Sequence, residues 1–272
     1  MSQNHSQSKS FIDSRISQVE GEVGRLIDQF SILKSLCDLG IELYIVGGFV
    51  RDFLSQGVLK TDLDMEWRFP NGAKASLESK KQEIEDLLKS QKISFEVLPF
   101  HILRFHQNET EFELAPARLE EYGEQESYSH CDFEVRFDHT LGTKKLFERR
   151  DFSLNALAFK LEKADDRIKL ILEDQFEGIN SLKEGSLSPI VKDFEKDPVR
   201  LLRSIRFKLQ HKLHYSDELV LLFSKFNLEK LTSSLFLKEW KKSETFEFLS
   251  EFLEIVETHN VKIPKDWHFL FS

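Results

Sequence analysis

Asp62-Leu63-Asp64 puts two carboxylates two residues apart, and on an extended strand side chains at that spacing leave the same face. Shortly upstream, Val46-Gly47-Gly48-Phe49-Val50-Arg51-Asp52 sets a glycine pair at the start of a helix-forming stretch. Gly47 and Gly48 let the backbone approach a polyanion with no Cβ in the way. The helix that follows offers free N–H groups and the positive end of its dipole. Arg51, one turn into that helix, could hold a phosphate oxygen. Asp62 and Asp64 could hold Mg²⁺, which usually combines a few carboxylates with substrate phosphates. The combination is a plan for gripping a nucleoside triphosphate and its metal. Two ions so held would activate an attacking hydroxyl and steady departing pyrophosphate. Taken singly, each motif more often belongs to an ordinary strand–turn–helix with surface acids.

Two later segments add to the plan. Arg149-Arg150-Asp151-Phe152-Ser153-Leu154-Asn155-Ala156 gathers polar groups ahead of an apolar, helix-forming run. Asp151 could accept from ribose hydroxyls and Arg150 could face phosphate; the ordinary reading is a helix start capped by Asp151 or Ser153. In Lys196-Asp197-Pro198-Val199-Arg200, Asp197 and Arg200 are three apart and share a helix face. One accepts and the other donates, which matches a nucleobase edge, although Asp before Pro is also a good N-cap. Arg203 and Arg206 extend that side and are candidates for RNA phosphate contact or for surface ion pairs. Glu113 could be a third carboxylate near the metals. His211 and His214 lack a third ligand nearby in sequence and read as packing or surface residues.

These groups need a scaffold. Apolar residues at Ile16, Val19, Val23, Ile27, Phe30, Leu33 and Cys37 predict a helix over 13–39, ended by Gly40. Leu43–Val46 reads as a buried strand, Phe49–Leu54 as a helix and Asp62–Phe69 as the next strand. A charged helix is expected over 73–91, and further strands at 93–98, 102–105 and 112–114. Strand signals fade after Ser181. Asp197-Pro198 is a strong helix start, and 219–226, 228–240 and 245–256 can each be helical.

Composition narrows the class. With 272 residues the chain can hold one large or two small cores, and most of its 25 phenylalanines should be buried. A net charge of −9 argues against a general nucleic-acid coat, but not against a local basic cleft. Cys37 and Cys131 form no disulfide framework or metal-ligand spacing, which suits the cytoplasm. The polar first ten residues are no signal peptide, and no apolar run is long enough to span a bilayer.

Together the three segments resemble the class II tRNA nucleotidyltransferase (CCA-adding) and bacterial poly(A) polymerase family. Its motifs GGxVRD…DxD, RRDFxxNA and DPxRxLRxxRF occur here in order, and Asp174–Gly178 is similar to its D-x-F-x-G hinge. The resemblance implies an α+β fold: a nucleotidyltransferase-type head with a mixed sheet, then a small all-helical neck, with body and tail domains reduced or absent. The expected layout is a flexible tail over 1–12, a head over 13–180 and a neck over 181–272. The implied activity is Mg²⁺-dependent, template-independent addition of C or A to an RNA 3′ end, with pyrophosphate release and CTP and ATP as substrates. A tRNA end is the expected acceptor. In this reading Asp62 and Asp64 bind metal and Gly47, Gly48 and Arg51 bind triphosphate. Arg150, Asp151 and Asn155 bind ribose, and Asp197 and Arg200 read the base. The alternatives are a poly(A) polymerase and a non-catalytic RNA-binding homologue. Two departures stand out: Lys196 replaces the family's glutamate before the base-reading Asp, and the loop 55–61 is longer than usual.

Overall fold

A seven-stranded mixed sheet organises the first part of the chain, and its two faces differ in chemistry. The computed structural model describes residues 2–70, 76–138, 141–190 and 192–267. The elements run α1 (Ser2–Ile27), α2 (Ser31–Asp38), β1 (Glu42–Val46), α3 (Gly48–Gln56), β2 (Asp62–Arg68), α4 (Leu77–Ser90), β3 (Phe95–Leu98), β4 (Ile102–Gln107) and β5 (Thr110–Pro116). Next come β6 (Arg118–Tyr122), β7 (Phe133–Phe137), α5 (Thr143–Phe147), β8 (Ala158–Ala164), β9 (Arg167–Glu173) and α6 (Gly178–Glu184). The sheet order is β3-β4-β5-β2-β1-β8-β9. Its described ladders are antiparallel except β2–β5, so the mixed sheet expected from sequence is present.

Register sorts the side chains. Leu43, Ile45, Leu63, Met65, Leu103, Phe105, Phe112, Leu114, Phe159 and Leu161 share one face and are all buried. Alternation of this kind places polar residues on the other face. There Asp62, Asp64, Glu66 and Arg68 of β2 run beside Glu42 and Tyr44 of β1 and Glu111 and Glu113 of β5. Arg68 bonds Glu42 at 2.5 Å and Glu66 bonds Arg149 at 2.7 Å, so the deeper polar residues are neutralised in pairs.

Several expectations change. The tail expected over 1–12 is helical, because α1 starts at Ser2; its apolar stripe reaches back to buried Ile12. The single helix expected over 13–39 is two, interrupted where Phe30 is extended at φ −99°, ψ 96°. The 3-residue spacing of Ile27, Phe30 and Leu33 hides that break, while Asp28 leaves the helix to accept the N–H of Ile168 at 3.0 Å. Ala156–Phe159, expected to be helix-forming, leads into β8, which fills the gap between β1 and β9. Pairing on both sides overrides a local helix preference. The expected 73–91 helix is α4; residues 73–75 lie outside the described residues.

The chain forms two compact units. The first is Met1–Leu119, Val135–Arg149 and Leu154–Lys183; the second is Glu120–Glu134, Arg150–Ser153 and Glu184–Ser272. The second unit contains β10 (Ser186–Leu187), α7 (Val199–His211), β11 (His214–Tyr215), α8 (Asp217–Phe223), α9 (Ser233–Ser243) and α10 (Glu247–His259). It is helical apart from the two-residue parallel pair β10–β11 and the tip of the β6–β7 ribbon. Its core is aromatic: Phe152 packs on Phe194 and Phe207, and Phe236 on Phe248, Phe252 and Trp267. Edge-to-face packing of this kind dominates the burial energy of a small unit.

Candidate functional site

The two glycines do different jobs. Gly47 has φ 71° and ψ −131°, a backbone state that a Cβ all but excludes. Gly48 opens α3, and a Cβ built on it would lie 3.5 Å from Lys60 Nζ and 3.7 Å from an Arg51 terminal nitrogen. Two cations therefore overhang this turn. Register brings it near the acids: Ile45 pairs with Met65, so Asp64 lies level with the end of β1, where the turn begins.

Arg51, expected to hold phosphate, is turned inward. Its Nε donates to Asp52 Oδ1 at 2.7 Å, one terminal nitrogen to Asp52 Oδ2 at 3.0 Å and the other to Asn155 Oδ1 at 2.6 Å. Lys60 Nζ reaches Asp52 Oδ2 at 2.5 Å. Burial raises the Asp52 carboxyl, but Arg51 and Lys60 outweigh it and hold its pKa below the ordinary value. Sequence reading missed Lys60; its position two residues before Asp62 was the available signal.

Asp62 and Asp64 stand exposed at the start of β2. In register beside them are Glu111 and Glu113 of β5. Glu113 accepts from Arg104 at 2.9 and 2.5 Å, and Glu111 lies 3.2 Å from His106 Nε2, so this second acidic pair faces cationic or ring-nitrogen partners. Among the described residues no three His, Cys, Asp or Glu side chains gather into a metal cage. The donor set fits Mg²⁺ nonetheless. Two hard, accessible carboxylates are what that ion takes from protein when phosphates and water complete its shell.

In the second unit, Asp151 is held on both oxygens. Oδ1 accepts the N–H of Phe152 at 2.9 Å, and Oδ2 accepts Arg203 at 2.6 and 2.5 Å. The capping geometry considered from sequence is thus present, but in a single turn that precedes a strand. Burial works against charge on Arg203, yet Asp151 prevails and raises its pKa. Arg150 is half-buried, and Asn155, expected with these residues at ribose, belongs to the first unit through Arg51. Arg206 donates to buried Glu239 at 2.6 Å, and burial lowers its pKa despite that partner. Arg203 and Arg206 are both committed to carboxylates within the unit.

Asp197 caps α7 from just outside it, with Oδ1 accepting the N–H of Val199 at 3.0 Å. His130 Nδ1 lies 3.2 Å from both of its carboxylate oxygens, a contact no local pattern announces. Arg200 donates to the carbonyls of Asp193 and Phe194, and its guanidinium lies 5.7 Å from the rings of Tyr122 and Phe194. Burial pushes the Tyr122 hydroxyl up, with the Arg200 charge acting the other way. Lys196 pairs with Glu124 at 3.1 Å and Asp193 at 3.4 Å. Both Asp197 and Arg200 are buried, so their positions are set before any ligand arrives.

A family model described as the Poly A polymerase head domain matches residues 43–188. The chain belongs to this head-domain family. Its span takes in Gly47 to Asn155 and ends before Asp197. Among relatives, poly(A) polymerase I of Haemophilus influenzae is 30% identical over 192 residues, covering 65% of this chain and 37% of its own. The CCA-adding enzyme of Lactobacillus helveticus is 27% identical over 205 residues, covering 72% of this chain and 45% of its own. The chain therefore spans less than half the length of either. A solved CCA-adding enzyme in an apo form has 25% identity and a TM-score of 0.66, covering 90% of this chain and 55% of that one. Lys60 and His130, the two residues missed from sequence, both lie within the head-domain span.

Proposed function

We propose that this head-domain protein is an Mg²⁺-dependent, template-independent RNA nucleotidyltransferase that adds C or A to the 3′ end of tRNA. The observation that carries the reading is the exposed Asp62/Asp64 pair level with a glycine turn overhung by cations, in a head-domain chain. In this reading Asp62 and Asp64 hold the metal, which when bound neutralises phosphate charge and makes the RNA hydroxyl a better nucleophile. The glycine turn receives the triphosphate. Asp151 and Arg150 serve the ribose, with Asn155 fixing Arg51. Asp197 accepts from the exocyclic amine of C or A, and Arg200 donates to the ring acceptor beside it. The hydroxyl attacks the α-phosphate, the bond to the β-phosphate oxygen breaks, and pyrophosphate leaves. Catalysis is then alignment and charge stabilisation rather than covalent chemistry. Two free cysteines and no membrane-length helix among the described residues are compatible with work in the cytoplasm.

The test is incubation of purified protein with tRNA lacking its terminal nucleotides, Mg²⁺ and each labelled NTP in turn. One to three additions of C or A are expected. A long ladder of A on arbitrary RNA would assign it to the poly(A) polymerase branch, which the Haemophilus relative represents. No incorporation of either nucleotide would leave the RNA-binding homologue as the better reading.

A further inference from the structure

We propose that Lys60, and not Arg51, is the side chain that takes the nucleotide's β- and γ-phosphates, Arg51 being a positioning residue. The inference rests on the nucleotidyltransferase reading above and assigns a role inside it. Arg51 is 7% exposed, and three of its N–H groups are committed to Asp52 and Asn155. Its geometry is that of a buried brace, joining the turn after β1 to the segment just before β8. Lys60 differs in each respect. Its side chain is 34% exposed, its one printed partner is Asp52 at 2.5 Å, and an ammonium on a flexible stem can re-aim its remaining protons.

Charge accounting points the same way. Arg51 and Lys60 contribute two positive charges around the single negative charge of Asp52, leaving one in surplus beside Gly48. Asp52 engages Arg51 in a fork through both oxygens, so the mobile share of that surplus sits on Lys60. The carbon of Gly48 bears no side chain between these nitrogens and the backbone. A polyphosphate oxygen there would meet Lys60 at the surface and the amides below it. Lys60 also precedes Asp62 by two residues, so the cation and the metal-binding acid ride on the same short loop into β2. The longer loop over 55–61 noted in the sequence is where this lysine is carried.

The variants are Lys60→Gln, Lys60→Arg and Gly48→Ala, each scored by single-nucleotide incorporation, by inhibition with inorganic tripolyphosphate, and by competition with CMP. Lys60→Gln should raise KM for CTP and ATP equally, by about tenfold, the size of one charge-assisted hydrogen bond, with little change in kcat. Tripolyphosphate inhibition should weaken by the same factor, CMP competition should stay unchanged, and Lys60→Arg should restore most of the loss. Gly48→Ala meets only ordinary contacts in the protein and should keep its melting temperature while losing tripolyphosphate inhibition. Unchanged KM and tripolyphosphate inhibition in Lys60→Gln would overturn the proposal. If the wild type incorporates nothing, the enzymatic reading fails by itself. Calorimetric titration of tripolyphosphate into wild type and Lys60→Gln then still decides the phosphate contact, equal binding overturning it.

Discussion

In the first unit, Asp62 and Asp64 stand exposed on the edge of β2, whereas in the second unit Asp197 and Arg200 are almost wholly withdrawn from solvent. The contrast follows from what each carboxylate is asked to do. An acid that must bind an ion from water stays cheap to charge when it is hydrated, because burial without the ion would favour its protonated form. An acid that must tell one base from another gains from being fixed beforehand. Asp197 is therefore held by the N–H of Val199 and by His130, and Arg200 by two carbonyls. Discrimination then comes from what a wrong base leaves unpaired.

The sharpest way to break the comparison is to remove the exposed acids. Asp62→Ala or Asp64→Ala should cut incorporation by about a hundredfold or more while the thermal melt stays where it is, since neither supports the core. A melt that fell with activity would mean that these acids are structural. Next in size is Arg51→Met, which leaves buried Asp52 with Lys60 alone and should destabilise the protein by about 3 kcal/mol in urea titration. For the buried pair, Asp197→Ala should lower kcat/KM for the preferred nucleotide by about tenfold to a hundredfold and flatten the preference among the four. Equal losses for all nucleotides would show that Asp197 shapes the neck without reading bases.

A pH series sharpens the brace itself. The pKa of Asp52 is lower folded than unfolded, so its contribution to stability is complete above the ordinary carboxylate value of about 4 and is lost as pH falls through the folded value. Denaturation midpoints followed from pH 6 downward should fall less steeply in Asp52→Asn than in wild type. The smallest effect belongs to Lys196→Glu. Lys196 is bonded to Glu124, which is almost fully exposed, and such pairs are worth at most about 1 kcal/mol. A shift of no more than about fivefold in the CTP-to-ATP ratio is expected, read by paired incorporation assays.

How far the molecule was legible depended on whether the deciding contact was local. Strands that alternate, such as β2 and β5, and helices with an apolar stripe, such as α7, announce themselves. β8 does not, because its opening residues favour a helix and only its pairing with β1 and β9 makes it a strand. The acids Asp62 and Asp64 were readable from spacing. The actual work of Arg51 and Asp151 was not, since their partners Asn155 and Arg203 lie 104 and 52 residues further on. His130 and Asp197 are 67 residues apart and equally silent in the sequence.

The Arg51–Asn155 bond also has a bearing on how the protein is made. A ribosome adding about 5–20 residues per second needs roughly 5–20 s to travel the 104 positions between these partners. Throughout that interval the nascent chain carries its glycine turn without the amide that anchors it, and β1 waits equally long for β8. The nucleotide-gripping loop should therefore mature late in translation, after most of the sheet has left the exit tunnel.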